Sequence, residues 1–252
     1  MSHEHMRSYI ANLPIGTFYS ALQPIEEDVV TGVDLNKLPD GIITGSNLIQ
    51  FPKEASPQVR SSVALSLLAA QRVAASDPVV LTPQQWVDRH NTVLTNLNWQ
   101  IGGGGAIESE FKNINVAVHE AIIPFLAAAF GGVVGAGALI LTALKQLKEM
   151  DKNSPWITLF DRESRRFNVT EYQFSVVEVL GDQVSLRLAS ARFSASFGRT
   201  QVLFFKVSKQ TAKFDAANQT LSADSALLVD MNDGLKTKLA AFTKTYIQTL
   251  PV

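Results

Sequence analysis

At 252 residues, with 46% hydrophobic and 18% charged residues and a formal net charge of -1, the chain can bury one large core and has no charge block suited to nucleic acid or to anionic lipid. It has no cysteine, which excludes a disulfide framework, a thiol nucleophile and a zinc-thiolate site and leaves the redox compartment open. The N-terminus MSHEHMRSYIANLPIG lacks a basic segment followed by an apolar core, so it is not read as a signal peptide, and His3 and His5 in it are too sparse for a designed metal site.

Residues 1–46 read as an irregular, removable N-terminal arm, with Pro14, Pro24, Pro39 and the acidic cluster Glu26, Glu27, Asp28, ahead of a single domain over 47–252. Asn47 to Phe51, NLIQF, is the first convincing core element, a short strand ended by Pro52. Ser56-Pro57 then opens a helix in cap-then-proline order, with Val59, Val63, Leu67, Ala70 and Val73 at helical spacing. Thr82-Pro83 opens a second, with Trp86, His90, Val93, Leu94 and Leu97 along one side. The tetraglycine Gly102 to Gly105 is followed by Ala106, Ile107 and Glu108 where a phosphate loop needs lysine and a hydroxyl, so a glycine-rich strand or hairpin is the reading.

Ala121 to Leu144 is a run of twenty-four uncharged residues. About 20 apolar residues suffice to cross a bilayer as one helix. Pro124, Gly131, Gly132, Gly135 and Gly137 interrupt this run, which predicts two short helices with a break near Gly131-Gly132. Such a hairpin is either buried in the core or kept for a membrane. Its second helix leads into the basic segment Lys145 to Lys152.

From Trp156 to Phe214 the period changes to two, and WITLF, FNVTEYQFSVVEVL, QVSLRLASARFSASF and QVLFFKVSKQTAKF read as strands with charged or glycine-containing turns such as Asp161 to Arg166. In the third, Val184, Leu186 and Leu188 lie on one face, after which the apolar set moves to Ala189, Ala191, Phe193, Ala195 and Phe197. A shift by one residue predicts a bulge near Leu188-Ala189. Strands of this pattern suit a membrane barrel and equally a half-buried antiparallel sheet. A loop over Asn218 to Ser225 and a helix near Asn232 to Thr249 close the chain. Helices first and antiparallel strands later is the order of the α+β class.

The segments SPWITLFDRESRRFNVTEYQFSVVEV and RTQVLFFKVSKQTAKFDAANQTL, the QVLFF of Gln201 to Phe205 above all, resemble the C-terminal half of the cytolytic delta-endotoxins, the Cyt toxins. NLIQFPKEASPQVRSSVALSLLAAQRVA is similar to the strand and first helix of that family, and the likeness spans Asn47 to Asp230. The resemblance implies an α/β sandwich in which two layers of helical hairpins wrap a mostly antiparallel sheet. It further implies a non-enzymatic protein without cofactor or metal that binds membrane phospholipids directly, self-associates at the membrane and permeabilises it by pore formation or detergent-like disruption. Activation by removal of a terminal arm belongs to the same expectation, as does a protein made in soluble form and released. The tetraglycine and the glycine-rich hairpin depart from the family pattern. Candidate membrane-inserting residues are Val184, Leu186, Leu188, Ala191, Phe193 and Phe197 in the strands, Val202 and Phe204 in QVLFF, and Phe125, Leu126, Phe130 and Val134 in the hairpin. A non-lytic lipid- or protein-binding module of the same fold is the alternative.

Overall fold

A computed structural model describes residues 3–15, 33–76, 81–107, 116–130, 137–166, 169–194, 202–204, 206–207 and 213–251. Both cap-then-proline signals start helices. Ser56 accepts from the Val59 N–H at the head of α2 (Pro57–Ala75), and Thr82 forms a capping box with Gln85 at the head of α3 (Pro83–Asn96). α1 (His3–Ala11) precedes them, and the apolar hairpin is α4 (Val118–Ala129) and α5 (Ala138–Gln146). Gly137 enters α5 at φ +74°, where an added Cβ would stand 2.8 Å from the Phe130 ring, so glycine is required there.

The sheet contains β1 (Gly41–Thr44), β2 (Asn47–Gln50), β3 (Gln100–Ile107), β6 (Val169–Leu180), β7 (Gln183–Ser194), β9 (Lys213–Asp224) and β10 (Ile247–Thr249), in the order β10-β1-β2-β6-β7-β9-β3, and β5 (Arg165–Arg166) pairs with β6. Only β2 and β6 run parallel among these described pairs. α1, α2, α3, α7 (Ser225–Asp230) and α8 (Asn232–Tyr246) cover one face, while α4, α5 and α6 (Pro155–Ser164) cover the other. The architecture is therefore an α+β sandwich, a single domain with a mostly antiparallel sheet between two helical layers.

Several local expectations change. WITLF belongs to α6, not to a strand: Ser154-Pro155 repeats the cap-then-proline signal, and Trp156, Ile157, Leu159, Phe160 and Ser164 are buried at helical spacing. Asp161 therefore sits inside a helix instead of in a hairpin turn. Gln201 and Phe205 of QVLFF lie outside the described residues, and Val202 to Phe204 form a bend and turn, followed by β8 (Lys206–Val207), which pairs with β4 (Val116–Ala117) in a separate small sheet. The expected loop at Asn218 to Ser225 is the second half of β9, up to Asp224, and the first residue of α7, and β10 follows α8 where a single helix was expected. Residues 1–46 are not irregular throughout, because α1 buries Met6 and Ile10, and β1 lies between β2 and β10 with Ile42 and Ile43 fully buried.

The expected bulge at Leu188-Ala189 is absent. β7 pairs without a break with β6 from Val169↔Ser194 to Leu180↔Gln183, and with β9 from Gln183↔Asp224 to Ser194↔Lys213. The apolar set changes sides because the two helical layers cover opposite ends of the strand. Val184, Leu186 and Leu188 pack under α2 and α3, while Ala189, Ala191 and Phe193 pack under α4 to α6. The sheet's one described register shift lies between Ile101 and Gly104 of β3, where a Cβ on Gly104 would stand 2.4 Å from the Asn218 carbonyl oxygen.

Candidate membrane-active face

Two-residue alternation and continuous register put Tyr172, Phe174 and Val176 of β6 beside Ala191, Ala189 and Arg187 of β7, and Phe193 and Ala191 beside Phe214 and Ala216 of β9. This half of the face is apolar and aromatic. Phe193 lies 4.9 Å from Phe214 and 6.5 Å from Tyr172 between ring centroids, and Phe160 of α6 lies 5.1 Å from Tyr172 and 5.8 Å from Phe174. Phe125 of α4 reaches Phe214 at 6.1 Å. Farther along the strands the same face turns polar at the Arg187–Glu178 ion pair, 2.9 Å.

The candidate inserting residues are thus divided by the sheet. Ala191, Phe193 and Val202 share one cluster with Phe125, Leu126 and Phe130, whereas Val184, Leu186 and Leu188 belong to the cluster on the opposite side. Phe204 is half-buried against His119 at 5.6 Å, with Lys152 Nζ 5.0 Å from its ring centre. Val134 and Phe197 lie outside the described residues.

Asp161 fastens this layer, a role its sequence context hid. Its carboxylate accepts from the Tyr172 hydroxyl at 2.5 Å, from the Val202 N–H at 2.9 Å and from the Leu203 N–H at 3.0 Å. Burial pushes the Asp161 carboxyl above the usual carboxylate range, and the three donated bonds oppose that rise. Burial, followed by the neighbouring Asp161 charge and the donated bond, raises the Tyr172 phenol well above its ordinary value. The Leu203 carbonyl in turn accepts from the His119 N–H at 3.1 Å and stands 2.9 Å from its Nδ1. α6 and β6 are joined through a three-residue bend to the first turn of α4. The helical start at Ser154-Pro155 was the signal that could have moved Asp161 out of a turn.

The opposite face keeps a buried polar strip. Arg192 pairs with Glu171 at 2.9 Å, and Glu171, Gln173 and Ser190 line a cavity of about 40 Å³ with Trp86 and His90, whose rings stack at 5.0 Å. His90 and His119 are both buried. Among the described residues no group of three or more histidines and acids is arranged to hold a metal ion, and no helix is long and apolar enough to cross a membrane.

No family model and no curated protein matches the chain. Among solved structures it is similar to a delta-endotoxin at 18% identity, covering 80% of this chain and 89% of that one with a TM-score of 0.39. It is also similar to the Evf virulence factor at 12% identity, over 96% of this chain and 89% of that one, TM-score 0.39. A third likeness is to the activated Cyt2Ba monomer from Bacillus thuringiensis subsp. israelensis, at 15% identity over 69% and 94% of the two chains, TM-score 0.36. Scores this low carry no argument about activity.

Proposed function

We propose that this protein is a membrane-active cytolysin, made in water-soluble form and released, which binds phospholipid bilayers, self-associates there and permeabilises them without catalysing a reaction. The reading rests on the sequence resemblance to the Cyt toxins and on one observation: an aromatic half-face of a long antiparallel sheet lies under a helical layer that is itself interrupted. α4 and α5, at 12 and 9 residues, are about 18 and 14 Å long, short of the roughly 30 Å hydrocarbon core, so neither crosses it alone. The layer of α4 to α6 lifts from the sheet, and the half-face of Tyr172, Phe174, Ala189, Ala191 and Phe193 meets the lipid. Entry stops where that face turns polar at Glu178 and Arg187, because an ion pair resists transfer into hydrocarbon.

Dye release from phospholipid vesicles tests the class, and leakage without substrate turnover is the expected result. Binding without leakage supports the non-lytic lipid-binding module instead, and absence of binding defeats the cytolysin and leaves the protein-binding module. The chain has no cysteine, so single cysteines at Ala191, Phe193 and Val134 carry an environment-sensitive dye without interference. Ala191 and Phe193 are already in an apolar cluster, so the readout is quenching by a lipid-borne quencher. Quenching is expected at Ala191 and Phe193; quenching at Val134 alone assigns insertion to the helical hairpin and overturns the sheet mechanism.

A further inference from the structure

Arg72 lies in the last turn of α2, and Arg162 and Glu163 lie near the end of α6, two helices that cover opposite faces of the sheet. The fold brings the three together beside the β1–β2 turn. Glu163 bridges the arginines: its Oε2 accepts from Arg72 at 2.5 Å and its Oε1 from Arg162 at 2.9 Å. Both guanidinium groups stand over the Tyr246 ring, with Arg72 Cζ 4.1 Å and Arg162 Cζ 5.7 Å from its centre, inside cation–π range. Tyr246 ends α8 and packs against the core cluster of either face, so it marks where the two layers meet. The side chains of Arg72, Arg162 and Glu163 are 7%, 11% and 13% exposed, which shelters these pairs from screening by salt.

The α2 and α8 side of this cluster is fixed to the sheet. Gln71, next to Arg72, accepts from the Ser46 N–H at 3.3 Å and donates to the Thr44 carbonyl at 3.2 Å, and the Tyr246 carbonyl accepts from the Gly45 N–H at 2.8 Å. On the α6 side, Asp161 binds Tyr172 of β6, the strand that α6 itself runs into through β5. That bond holds α6 to its own continuation, whereas Glu163 reaches across to the other layer. Parting of the layers divides the cluster between Arg72 and Glu163. Arg162 leaves with Glu163 because both belong to α6, and Arg72 stays stacked on Tyr246. Each half then keeps a partner, so opening strands no charge, which is what makes the loss of one member of a buried ion pair so costly.

We infer that the Arg72–Glu163 pair is an autoinhibitory catch: closed, it holds α6 to α2 and α8, and its release lets the α4–α6 layer turn about the junction with β5 and leave the sheet. The inference rests on the sheet mechanism proposed above. The test builds Arg72→Cys with Glu163→Cys into the full chain, which has no other cysteine, and joins the two thiols with a reducible bis-maleimide. The untethered double variant is expected to release dye from phosphatidylcholine vesicles at least about threefold faster than wild type. Tethering should bring release down to background, and reduction should restore it. Leakage through the intact tether, or an untethered rate no higher than wild type, overturns the catch and leaves the cytolysin reading standing. If no form of the protein leaks, that reading fails and takes the catch with it. Glu163→Gln keeps the side-chain shape and serves should the double variant not fold. It is expected to speed hydrogen exchange of the α6 amides about tenfold in solution while α2 exchanges as before, whereas Glu178→Gln, the same change in the strand ion pair, should leave α6 as it was. Equal α6 exchange in wild type and Glu163→Gln overturns the catch whatever the vesicles show.

Discussion

On one face of the sheet α2 is buried from Val59 to Ala74, enclosed by the sheet beneath and by α3, α7 and α8 around it. On the other face α4 and α5 bury only Val118, His119, Ile122, Phe125, Leu126, Ile140, Ala143 and Leu144, leave Pro124, Ala127 and Ala128 exposed, and lack a side-chain cap from their N-cap residues. A helix buried all round has no alternative environment. One with a single packed stripe can exchange that stripe for another apolar surface at modest cost. The contrast teaches that the two layers are held differently: one is enclosed on all sides, the other rests on the sheet through a single packed stripe.

The sharpest way to break this comparison is to remove equal volume from each layer. Leu67→Ala in α2 should cost about 2–5 kcal/mol and lower the global melting temperature, since Leu67 is fully buried. Leu126→Ala in α4, equally buried, should show instead as loss of hydrogen-exchange protection confined to α4 and α5. Global unfolding of both variants at the same denaturant concentration, without local exchange in the second, would make the layers equivalent.

Truncation comes next. A chain beginning at residue 33 keeps β1 but loses Met6, Ile10 and Leu13 from the core, so it is expected to fold with a lowered melting temperature and to lyse vesicles faster if the N-terminal arm is inhibitory. A chain beginning at 47 loses Ile42 and Ile43, whose burial is worth about 1.5–3 kcal/mol each, and should not give a cooperative melt. Circular dichroism and dye release on the two chains separate these outcomes.

Gly137→Ala should cost about 1–2 kcal/mol for its positive φ, with further strain against Phe130, and the cost should appear as faster proteolysis between α4 and α5. Unchanged proteolysis would show that the break absorbs the change.

Asp161 fastens α6 to β6 and to the Val202–Leu203 amides and has a pH signature. Its folded carboxyl titrates above its unfolded value of 3.8, so its contribution to stability is complete below the unfolded value and is lost as pH rises through the folded one. Wild type should therefore gain stability relative to Asp161→Asn on acidification from neutrality, and the Val202 and Leu203 amides should exchange faster in the variant. A stability difference that stays flat with pH would remove Asp161 from the account. The smallest effect is expected for Glu178→Gln, about 0.2–1 kcal/mol for a partly exposed ion pair, with the melting temperature as readout.

Much of this division was legible because helix starts are local chemistry: Ser56-Pro57 and Thr82-Pro83 needed no knowledge of the rest of the chain. Ser154-Pro155 carried the same signal, but five residues of WITLF satisfy strand and helix patterns alike. QVLFF resisted reading for a different reason. Its high β propensity is overridden by a carboxylate forty residues upstream that takes the Val202 and Leu203 N–H groups. β1 depends on partners at Asn47–Gln50 and Ile247–Thr249, which no window around GIIT contains. The apolar residues of the candidate face were recognisable one by one. Which layer covers each was not, and Leu188 and Ala189, neighbours in β7, point to opposite faces under different helices.

The tetraglycine edge has a consequence for life at high concentration. Sheets grow by adding a chain along an open margin, and a flat apolar margin is the usual seed of aggregation. β3 forms one margin of this sheet, and there the backbone carries an extra residue and four successive positions without side chains. A second molecule arriving alongside would find an uneven spacing of donors and acceptors and nothing to grip between them. Over the extra residue, in-register pairing with a second strand is disfavoured, so the irregularity blunts this margin.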